Sequence, residues 1–337
     1  MLSRSLIKFF DSDIPMPCLD STIKEIDDDW LRLHEIKASK MLFHYTTIEG
    51  LRGIIENRSL WFTDIDSVND PMELHYGKKI IEDEISKQIK KQKNENIISM
   101  LKDIQMDLDS LTKKIIHRPF IACFCENDNL LSQWRGYSAG NGGYCLGFQI
   151  SKETKYWITQ DRDDEINLHL RKVIYNEKKQ RRLINKYLRK IIIGAKFAFS
   201  EINENVKVGW IGRAATRSVN ILLEMMLSFK SPYFKEEKEW RFIAVFWSQR
   251  SKYEKHKKFK ERDGHMFSYH NIWLANIEEE KYYFPLKSIM HSPVLEKEYE
   301  LCTIKQYLDN IRKSENSIIL NGNIDLLDPG YKLKKQS

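Results

Sequence analysis

Six polar residues between positions 44 and 73 stand out, because the secondary structure predicted around them does not explain why these side chains are polar. These residues are His44, Thr46, Thr63, Asn69, Asp70 and Glu73. A neutral imidazole donates one hydrogen bond and accepts another, and a neighbouring Thr hydroxyl can fix its ring. Carboxylates can stabilise a positive charge or hold a catalytic metal ion. Functional groups are concentrated at strand ends and in turns, so this set predicts a site.

The elements that must position these residues are a strand, a helix and a second strand. Residues 41–45 suit a short strand, and Thr46 or Thr47 is predicted as the N-cap of the next helix. Its predicted apolar face consists of Ile48, Leu51, Ile54 and Ile55. Bulky residues at 60–63 predict the second strand. Asn69-Asp70-Pro71 is a turn signal, and a turn with a helix cap is an equal explanation of those polar side chains.

A second polar group lies far away in sequence, beside predicted buried strands. Residues 120–125 and 143–150 predict two strands, and the sequence SQWRGYS lies between them. Arg135 in that segment suits phosphate geometry, although a structural ion pair is an equal alternative. Glu239 and Arg241 open another strand, and Glu73 is a candidate partner for either arginine. The charge run at 235–239 is typical of a solvated turn, but Glu239 leads directly into an apolar strand.

The predicted strands are short and do not alternate regularly with helices, which favours an α+β fold over a doubly wound sheet. We expect a small mixed or antiparallel sheet core with large helical insertions at about 76–115 and 177–229. The predicted organisation is a helical lead-in at 1–40, one α+β domain at 41–300, and a C-terminal helix and tail at 301–337.

The chain has 337 residues and a formal net charge of +7, and one basic segment matches that whole excess. Its members are Lys178, Lys179, Arg181, Arg182, Lys186, Arg189 and Lys190. An apolar stripe from Leu183 to Ile192 predicts that these charges lie largely on the opposite, solvated face of a helix. With the lysines at 252–260, this helix is also a candidate surface for nucleic acid or another anionic macromolecule.

Cysteine usage and hydropathy bear on the compartment and on metal binding. Five cysteines without a C-x-x-C pair argue against a disulfide framework and indicate a reducing cytoplasm. Cys123, Cys125 and Cys145 lack His partners at ligand spacing, so no metal site is predicted and buried apolar positions are expected. No apolar run approaches a membrane span, and the N-terminus lacks the apolar length of a signal peptide.

The motifs taken together resemble a known bacterial family. They are, in order, HYTT, a GL-x-x-II helix, LWFT, NDPME, a Cys-Phe-Cys strand, SQWRGYS, GYCLGF and EKEWR. This set resembles domain-of-unknown-function family 2971 over roughly residues 41–300. Members of that family resemble proteins found in phage-defence and abortive-infection settings, which implies a toxin-like defence role as a hypothesis.

A more distant resemblance is to ADP-ribosyltransferases, which carry a His on the first strand, an aromatic-Thr or Ser-Thr element on the second, and a late Glu. Here His44-Tyr45-Thr46, Trp61-Phe62-Thr63, and Glu237 or Glu239 fall in that order. The resemblance implies NAD as substrate. Cleavage of its nicotinamide bond passes through an oxocarbenium-like centre, which a carboxylate stabilises.

The roles implied by this second resemblance are specific. Glu239 would stabilise the oxocarbenium centre, and His44 with Thr46 would bind ribose hydroxyls. Tyr45, Trp61 and Tyr137 are candidates to stack on the nicotinamide, with Thr63 and Arg135 as further cofactor-binding candidates. The alternatives are a His44 that is hydrogen-bonded within the protein, and a Trp61 and Phe62 that belong to the core.

Three functions therefore remain open. The first is an ADP-ribosyltransferase-like enzyme acting on NAD. The second is a metal-dependent nuclease that uses Asp70, Glu73 and Glu239 as ligands, with the basic helix holding nucleic acid. The third is a non-catalytic sensor or binding module.

Overall fold

The computed structural model describes residue 30 and residues 39–67, 72–113, 119–137, 142–201, 204–245, 253–262, 264–313, 318–320 and 322–331. These residues combine helices with one large mixed sheet, which confirms the α+β class. They divide into two compact units. Unit 1 comprises residues 1–35, 68–118 and 173–235, and unit 2 comprises residues 36–67, 119–172 and 236–337. The domain boundaries predicted at 41 and 300 stay a prediction.

Unit 1 is helical in its described part. Its helices are α2 (Met72–Lys91), α3 (Glu95–Lys113), α5 (Glu177–Glu201) and α6 (Glu204–Ser228), where the apolar periodicity predicted helices. The buried stripe of α5 includes Ile184, Tyr187, Leu188 and Ile191, as predicted. Helices α2 and α6 approach closely at Gly77, because an added Cβ atom there would lie 2.5 Å from the Met226 carbonyl oxygen. Packing of these apolar faces, more than helix propensity, holds such helices together.

Unit 2 contains every strand of the described residues. The strands are β1 (Lys40–Thr46), β2 (Ser59–Asp64), β3 (Phe120–Cys125), β4 (Tyr144–Ile150), β5 (Lys155–Trp157), β6 (His169–Lys172), β7 (Glu239–Ala244), β8 (Lys258–Arg262), β9 (His265–Glu278), β10 (Lys281–Phe284), β11 (Leu286–His291), β12 (Ile319–Leu320) and β13 (Asp325–Leu327). Its helices are α1 (Ile48–Asn57), α4 (Leu131–Tyr137) and α7 (Lys297–Ile311).

The sheet is larger than the small core predicted from the sequence. Its strand order is β12-β10-β9-β2-β3-β1-β4-β11-β13, with β5 and β8 also paired to β9, β7 to β3, and β6 to β7. Most neighbours are antiparallel, while β10–β12 and β11–β13 are parallel. The size was underestimated because β5, β8, β9, β11 and β13 were not recognised. No helix of the described residues is long and apolar enough to cross a membrane.

One buried apolar cluster lies along a single face of the central strands. It includes Leu42, Phe62, Phe124, Leu146 and Phe242, together with Ile54 and Ile55 of α1 and Ile304 and Leu308 of α7. Alternate residues of a strand point to opposite faces of a sheet. We call the face that carries Leu42, Phe124 and Phe242 the core face, and the other side the far face.

Candidate functional site

The register of three central strands decides which predicted site residues share a face. Phe43 on β1 pairs with Cys125 on β3, and Cys125 pairs with Glu239 on β7. These three residues therefore lie on the far face. His44, one position along β1, lies on the core face, where its ring is 5.4 Å from the ring of Phe124.

His44 is held within the protein. Strand β1 pairs with β4 from Lys40 to Thr46 but is in register with β3 only at Phe43. Beside that single pair, the His44 Nδ1 atom lies 2.9 Å from the Cys123 carbonyl oxygen. Donation from Nδ1–H to that carbonyl bridges the two strands where their backbones diverge. Burial lowers the pKa of His44, although its bond to Cys123 acts in the opposite direction. The imidazole is therefore neutral at pH 7.

The two threonines after His44 have structural contacts at the start of α1. Thr47 is the N-cap, and its hydroxyl oxygen accepts a hydrogen bond from the Gly50 backbone at 3.3 Å. The Thr46 hydroxyl lies against Gly50, where an added Cβ atom would come within 1.9 Å of it. The sequence left the N-cap open between these two residues, and the structure assigns it to Thr47.

Glu239 forms a buried ion pair with Arg241. The Arg241 Nε atom donates to Glu239 Oε1 at 2.7 Å, and Nη2 donates to Oε2 at 2.8 Å. The two residues are 4% and 1% exposed. They are two positions apart on β7, so their side chains share the far face. Arg241 was predicted as a polar site candidate, with Glu73 as a possible partner. In the structure Glu239 binds it through two hydrogen bonds.

The structure does not bring His44 and Glu239 into one cleft. They lie on opposite faces of the sheet. Phe43, and not His44, is in register with Cys125, and Cys125 is in register with Glu239. The sequence left open whether the two side chains share a cleft. The chemical roles predicted for each residue stay predictions.

Tyr45 belongs to a second buried cluster, on the far face. Its ring packs edge-on against Trp134 of α4 at a centroid distance of 4.9 Å. Its hydroxyl donates to the Asn127 carbonyl at 3.1 Å and accepts from the Leu130 backbone at 2.8 Å. Its ring is therefore enclosed in this buried cluster.

The other predicted residues of α4 differ in exposure. Arg135 is exposed, and Tyr137 is half-buried and packs against the cluster that contains Tyr45. Trp134, between the motif glutamine and Arg135, is buried and donates from its indole nitrogen to Asn129 at 2.8 Å. The tryptophan of the SQWRGYS motif is therefore a packing residue.

Trp61 and Thr63, predicted to bind a cofactor, lie together in a partly open region of the far face. Thr63 pairs with Tyr269 on β9, and the Trp61 and Tyr269 rings are 4.8 Å apart. The Lys260 Nζ atom lies 4.4 Å from the centre of the Trp61 ring. Lys258 is in register with Tyr269 and shares this face. We call these five residues the Trp61 surface.

Exposure and charge distinguish the Trp61 surface from the enclosed clusters. Trp61, Thr63 and Tyr269 are half-exposed, and both lysines are exposed. Glu49 on α1 is near enough to Lys260 for the lysine to contribute to the lowering of the Glu49 pKa, which comes first from hydrogen bonding to its own backbone and to Thr47. The surface therefore carries two positive charges with one carboxylate at its margin.

Several predicted residues fall outside what the structure describes. Asn69 and Asp70 lie outside the described residues, and so does the side chain of Glu73. Glu237 lies at the end of a short 3₁₀ helix, next to β7. Among the described residues, no group of three or more His, Cys, Asp or Glu side chains could hold a metal ion.

The sequence reasoning missed Tyr269 and Glu49 as members of this region. Tyr269 precedes the run Asn271–Ala275, which is buried on both sides and shows no alternation, so the strand that carries it gave no period-2 signal. Lys258 and Lys260 were recognised as basic residues, but nothing in their spacing indicated a contact with Trp61.

Comparison with known proteins gives one partial match. Residues 133–242 match the model of a family described as protein of unknown function DUF2971. The match includes Arg135, Tyr137, Glu239 and Arg241, and excludes His44 and the Trp61 surface. No curated protein and no solved structure matched the chain. The comparisons gave no evidence of similarity to ADP-ribosyltransferases.

Proposed function

We propose that this protein binds a nucleotide on the Trp61 surface, with NAD as the leading candidate ligand. The observation that carries the proposal is the position of Lys260, 4.4 Å above a half-exposed Trp61 ring that also contacts Tyr269. A nucleotide combines a planar base with phosphate charges, and this surface combines aromatic rings with ammonium groups.

Stacking of a base on the Trp61 ring is more favourable than the contact of Lys260 with that ring. An exposed cation–π contact is worth about 0.5–1 kcal/mol. Stacking of a base on an aromatic side chain is worth about 1–3 kcal/mol. A base can therefore displace the Lys260 ammonium from the Trp61 ring, and the displaced group is then placed to pair with a phosphate oxygen.

The charge of the surface selects which part of NAD would stack on the indole. The nicotinamide ring of NAD is cationic and would be repelled by Lys258 and Lys260, whereas adenine is neutral. We therefore assign the adenine to Trp61 and the diphosphate to the two lysines. Thr63, in register with Tyr269, is the adjacent hydroxyl donor. Glu49 opposes the diphosphate charge.

The proposal is limited to binding. Transfer of ADP-ribose requires groups that act at the nicotinamide ribose, and Glu239 pairs in register with Cys125, four residues along β3 from the partner of Thr63. That separation corresponds to roughly 13 Å along the strand. Neither an ADP-ribosyltransferase-like fold nor catalysis by His44 is required for a nucleotide to bind at Trp61.

Isothermal titration of the purified protein with NAD, AMP and nicotinamide mononucleotide tests the assignment. We expect NAD and AMP to bind more tightly than nicotinamide mononucleotide, which lacks adenine. Trp61→Leu should weaken NAD binding about tenfold, as loss of one stacked base predicts. Lys260→Ala should weaken it by a smaller factor, and Glu49→Gln should strengthen it.

Lys152→Ala is the matched control, because Lys152 is an exposed lysine of unit 2 whose ion pair is with its neighbour Glu153. Unchanged affinity in Trp61→Leu, or equal weakening by Lys152→Ala, contradicts the proposal. Measurement of nicotinamide release in the same samples asks separately whether bound NAD is cleaved.

A second candidate function is recognition of nucleic acid or another anionic macromolecule by α5 of unit 1. Lys178, Arg182, Lys186 and Arg189 are exposed and follow one another at spacings of three or four residues, so they share one face of the helix. Arg181 lies elsewhere, in ion pairs with Glu177, Asp83 and Glu84. The exposed line of charge is the observation that favours this candidate.

Salt dependence of nucleic-acid binding tests the second candidate. Affinity for a duplex should fall steeply with salt, because each phosphate contact releases counterions. Replacing both Arg182 and Arg189 with Ala should lower the salt slope by about two, one for each lost phosphate contact. Lys102→Ala, an exposed lysine on α3, should leave the slope unchanged. A slope that the double variant leaves intact excludes α5 as the contact.

A further inference from the structure

Arg58 is a buried arginine at the end of α1, in a backbone conformation that disfavours it. It is the C-cap residue with φ 55° and ψ 36°, in the left-handed region, and it is 2% exposed. A side chain other than glycine in this conformation costs about 1–2 kcal/mol. Glycine or asparagine usually occupies such a C-cap, so the guanidinium sits where a smaller residue fits the backbone better.

The Arg58 guanidinium has no hydrogen-bond or ion-pair partner among the described residues. Its Nε and Nη1 atoms are both buried and unsatisfied. The nearest carboxylate along the chain, Glu56, is engaged elsewhere. It accepts from Arg52 Nε at 3.2 Å and from the Tyr307 hydroxyl at 3.2 Å.

A buried guanidinium without a counter-charge is unfavourable, and arginine cannot relieve the cost by losing its proton. Burial lowers the pKa of Arg58, with the neighbouring Tyr307 acting in the opposite direction. Arginine nevertheless stays charged in proteins, because its ordinary pKa is above 12. Buried charges are otherwise paired, so an unpaired guanidinium at this position is a candidate to bind an anion.

Two further unsatisfied donors lie where β2, which begins after Arg58, pairs with β9. Ser59 follows it in sequence, is buried, and has a hydroxyl without a partner. Trp273 on β9 is the Cα partner of Ser59, so both side chains share a face, and its indole nitrogen is also buried and unsatisfied. Ser59 and Trp273 share the far face with Trp61, so the unsatisfied donors at Arg58 itself are its Nε and Nη1 atoms.

We propose that Arg58 is the centre of a binding site for a phosphate group. A guanidinium matches phosphate in geometry and charge, and it binds the group through two parallel N–H donors. A phosphate offers acceptor oxygens to both unsatisfied donors of Arg58, Nε and Nη1. The site does not depend on nucleotide binding at Trp61, because its evidence is the unsatisfied donor set.

Thermal unfolding in inorganic phosphate tests the site. Binding to the folded state stabilises by an amount that grows with the ratio of ligand to Kd. We expect a saturable rise in Tm of about 3 °C at tenfold excess over Kd, for a unit of this size. Acetate at matched ionic strength tests a carboxylate, for which a smaller shift is expected.

Arg58→Met and Arg52→Met form a matched pair of variants. Both remove one arginine near the end of α1, but Arg52 is exposed and already paired with Glu56. The phosphate shift should disappear in Arg58→Met and persist in Arg52→Met. It should also persist in Trp61→Leu, which separates this site from the proposed nucleotide surface.

An equal shift in Arg58→Met and the wild type overturns the proposal, because phosphate also stabilises proteins by general exclusion from their surfaces. A shift in acetate as large as that in phosphate rules out the phosphate assignment. If Arg58→Met fails to fold, equilibrium dialysis of radiolabelled phosphate against the wild type decides the matter, and absence of saturable binding contradicts the site.

Discussion

Arg241 and Arg58, both in unit 2, are buried to a similar degree but differ in whether a carboxylate neutralises their positive charge. Arg241 has a bidentate carboxylate partner two residues away on its own strand, while Arg58 has no partner among the described residues. The comparison separates two meanings of a buried charge. A charge that is balanced within the chain belongs to the fold, and one that has no partner among the described residues is a candidate for ligand binding.

The largest effect is expected from breaking the balanced pair. Glu239→Gln removes the negative charge and leaves Arg241 buried without its carboxylate, which should lower the free energy of unfolding by about 3–5 kcal/mol. Urea unfolding measures the change. The double variant Glu239→Gln with Arg241→Met should recover part of the loss, because it removes both charges of the pair. A single variant as stable as the wild type would show that the pair contributes nothing to the fold.

A second balanced charge extends the comparison to pH. Burial opposes ionisation of Glu126, but donation from Lys172, Trp240 and Lys40 outweighs it and lowers the pKa of Glu126 to about 2. A carboxylate with a depressed folded pKa stabilises the protein above its ordinary value of 4.5, and this contribution is lost as pH falls towards 2.

Glu126→Gln should therefore cost about 2–3 kcal/mol at pH 7 and little at pH 2, with the difference disappearing between pH 4.5 and 2. Denaturant unfolding at intervals across this range provides the measurement. Glu153→Gln is the control, because Glu153 is exposed on the surface of the same unit. A Glu126→Gln deficit that does not change across this pH range is inconsistent with an ion-paired carboxylate.

His44 tests whether a predicted catalytic residue is structural. Its ring bridges to the Cys123 carbonyl and contacts Phe124, so His44→Ala should cost about 1–2 kcal/mol of stability. NAD affinity should not change if the nucleotide binds at Trp61. Loss of NAD affinity with unchanged stability would restore His44 to the binding site.

Much of the local structure could be predicted from the sequence. The strand, helix and strand at Lys40–Thr46, Ile48–Asn57 and Ser59–Asp64 agree with the predictions to within one or two residues. They do so because helical spacing, an N-cap and bulky strand residues act over short distances. Strand β9 was missed, because Ile272, Trp273, Leu274 and Ala275 are all buried and leave no alternation to detect.

The candidate site was much less predictable, because it depends on strand register. A shift of one residue exchanges the two faces of a strand. His44 would share the far face with Glu239 if it, in place of Phe43, were in register with Cys125. Sequence order alone carries no information about that register. Sequence order also could not show that Lys260 lies over Trp61. Strands β2 and β8 are neighbours only because both pair with β9.

The smallest effect on stability, and the one opposite in sign, is expected at Arg58. In anion-free buffer Arg58→Met should leave the free energy of unfolding unchanged or raise it by up to about 1 kcal/mol, since it removes an unpaired buried charge. Arg58→Gly should gain roughly 1 kcal/mol from relief of the left-handed backbone, offset by loss of the packed side-chain stem. Urea unfolding of both variants beside Glu239→Gln compares the two arginines directly. If Arg58→Met loses as much stability as Glu239→Gln, then Arg58 has a partner within the folded chain and the distinction between the two charges fails.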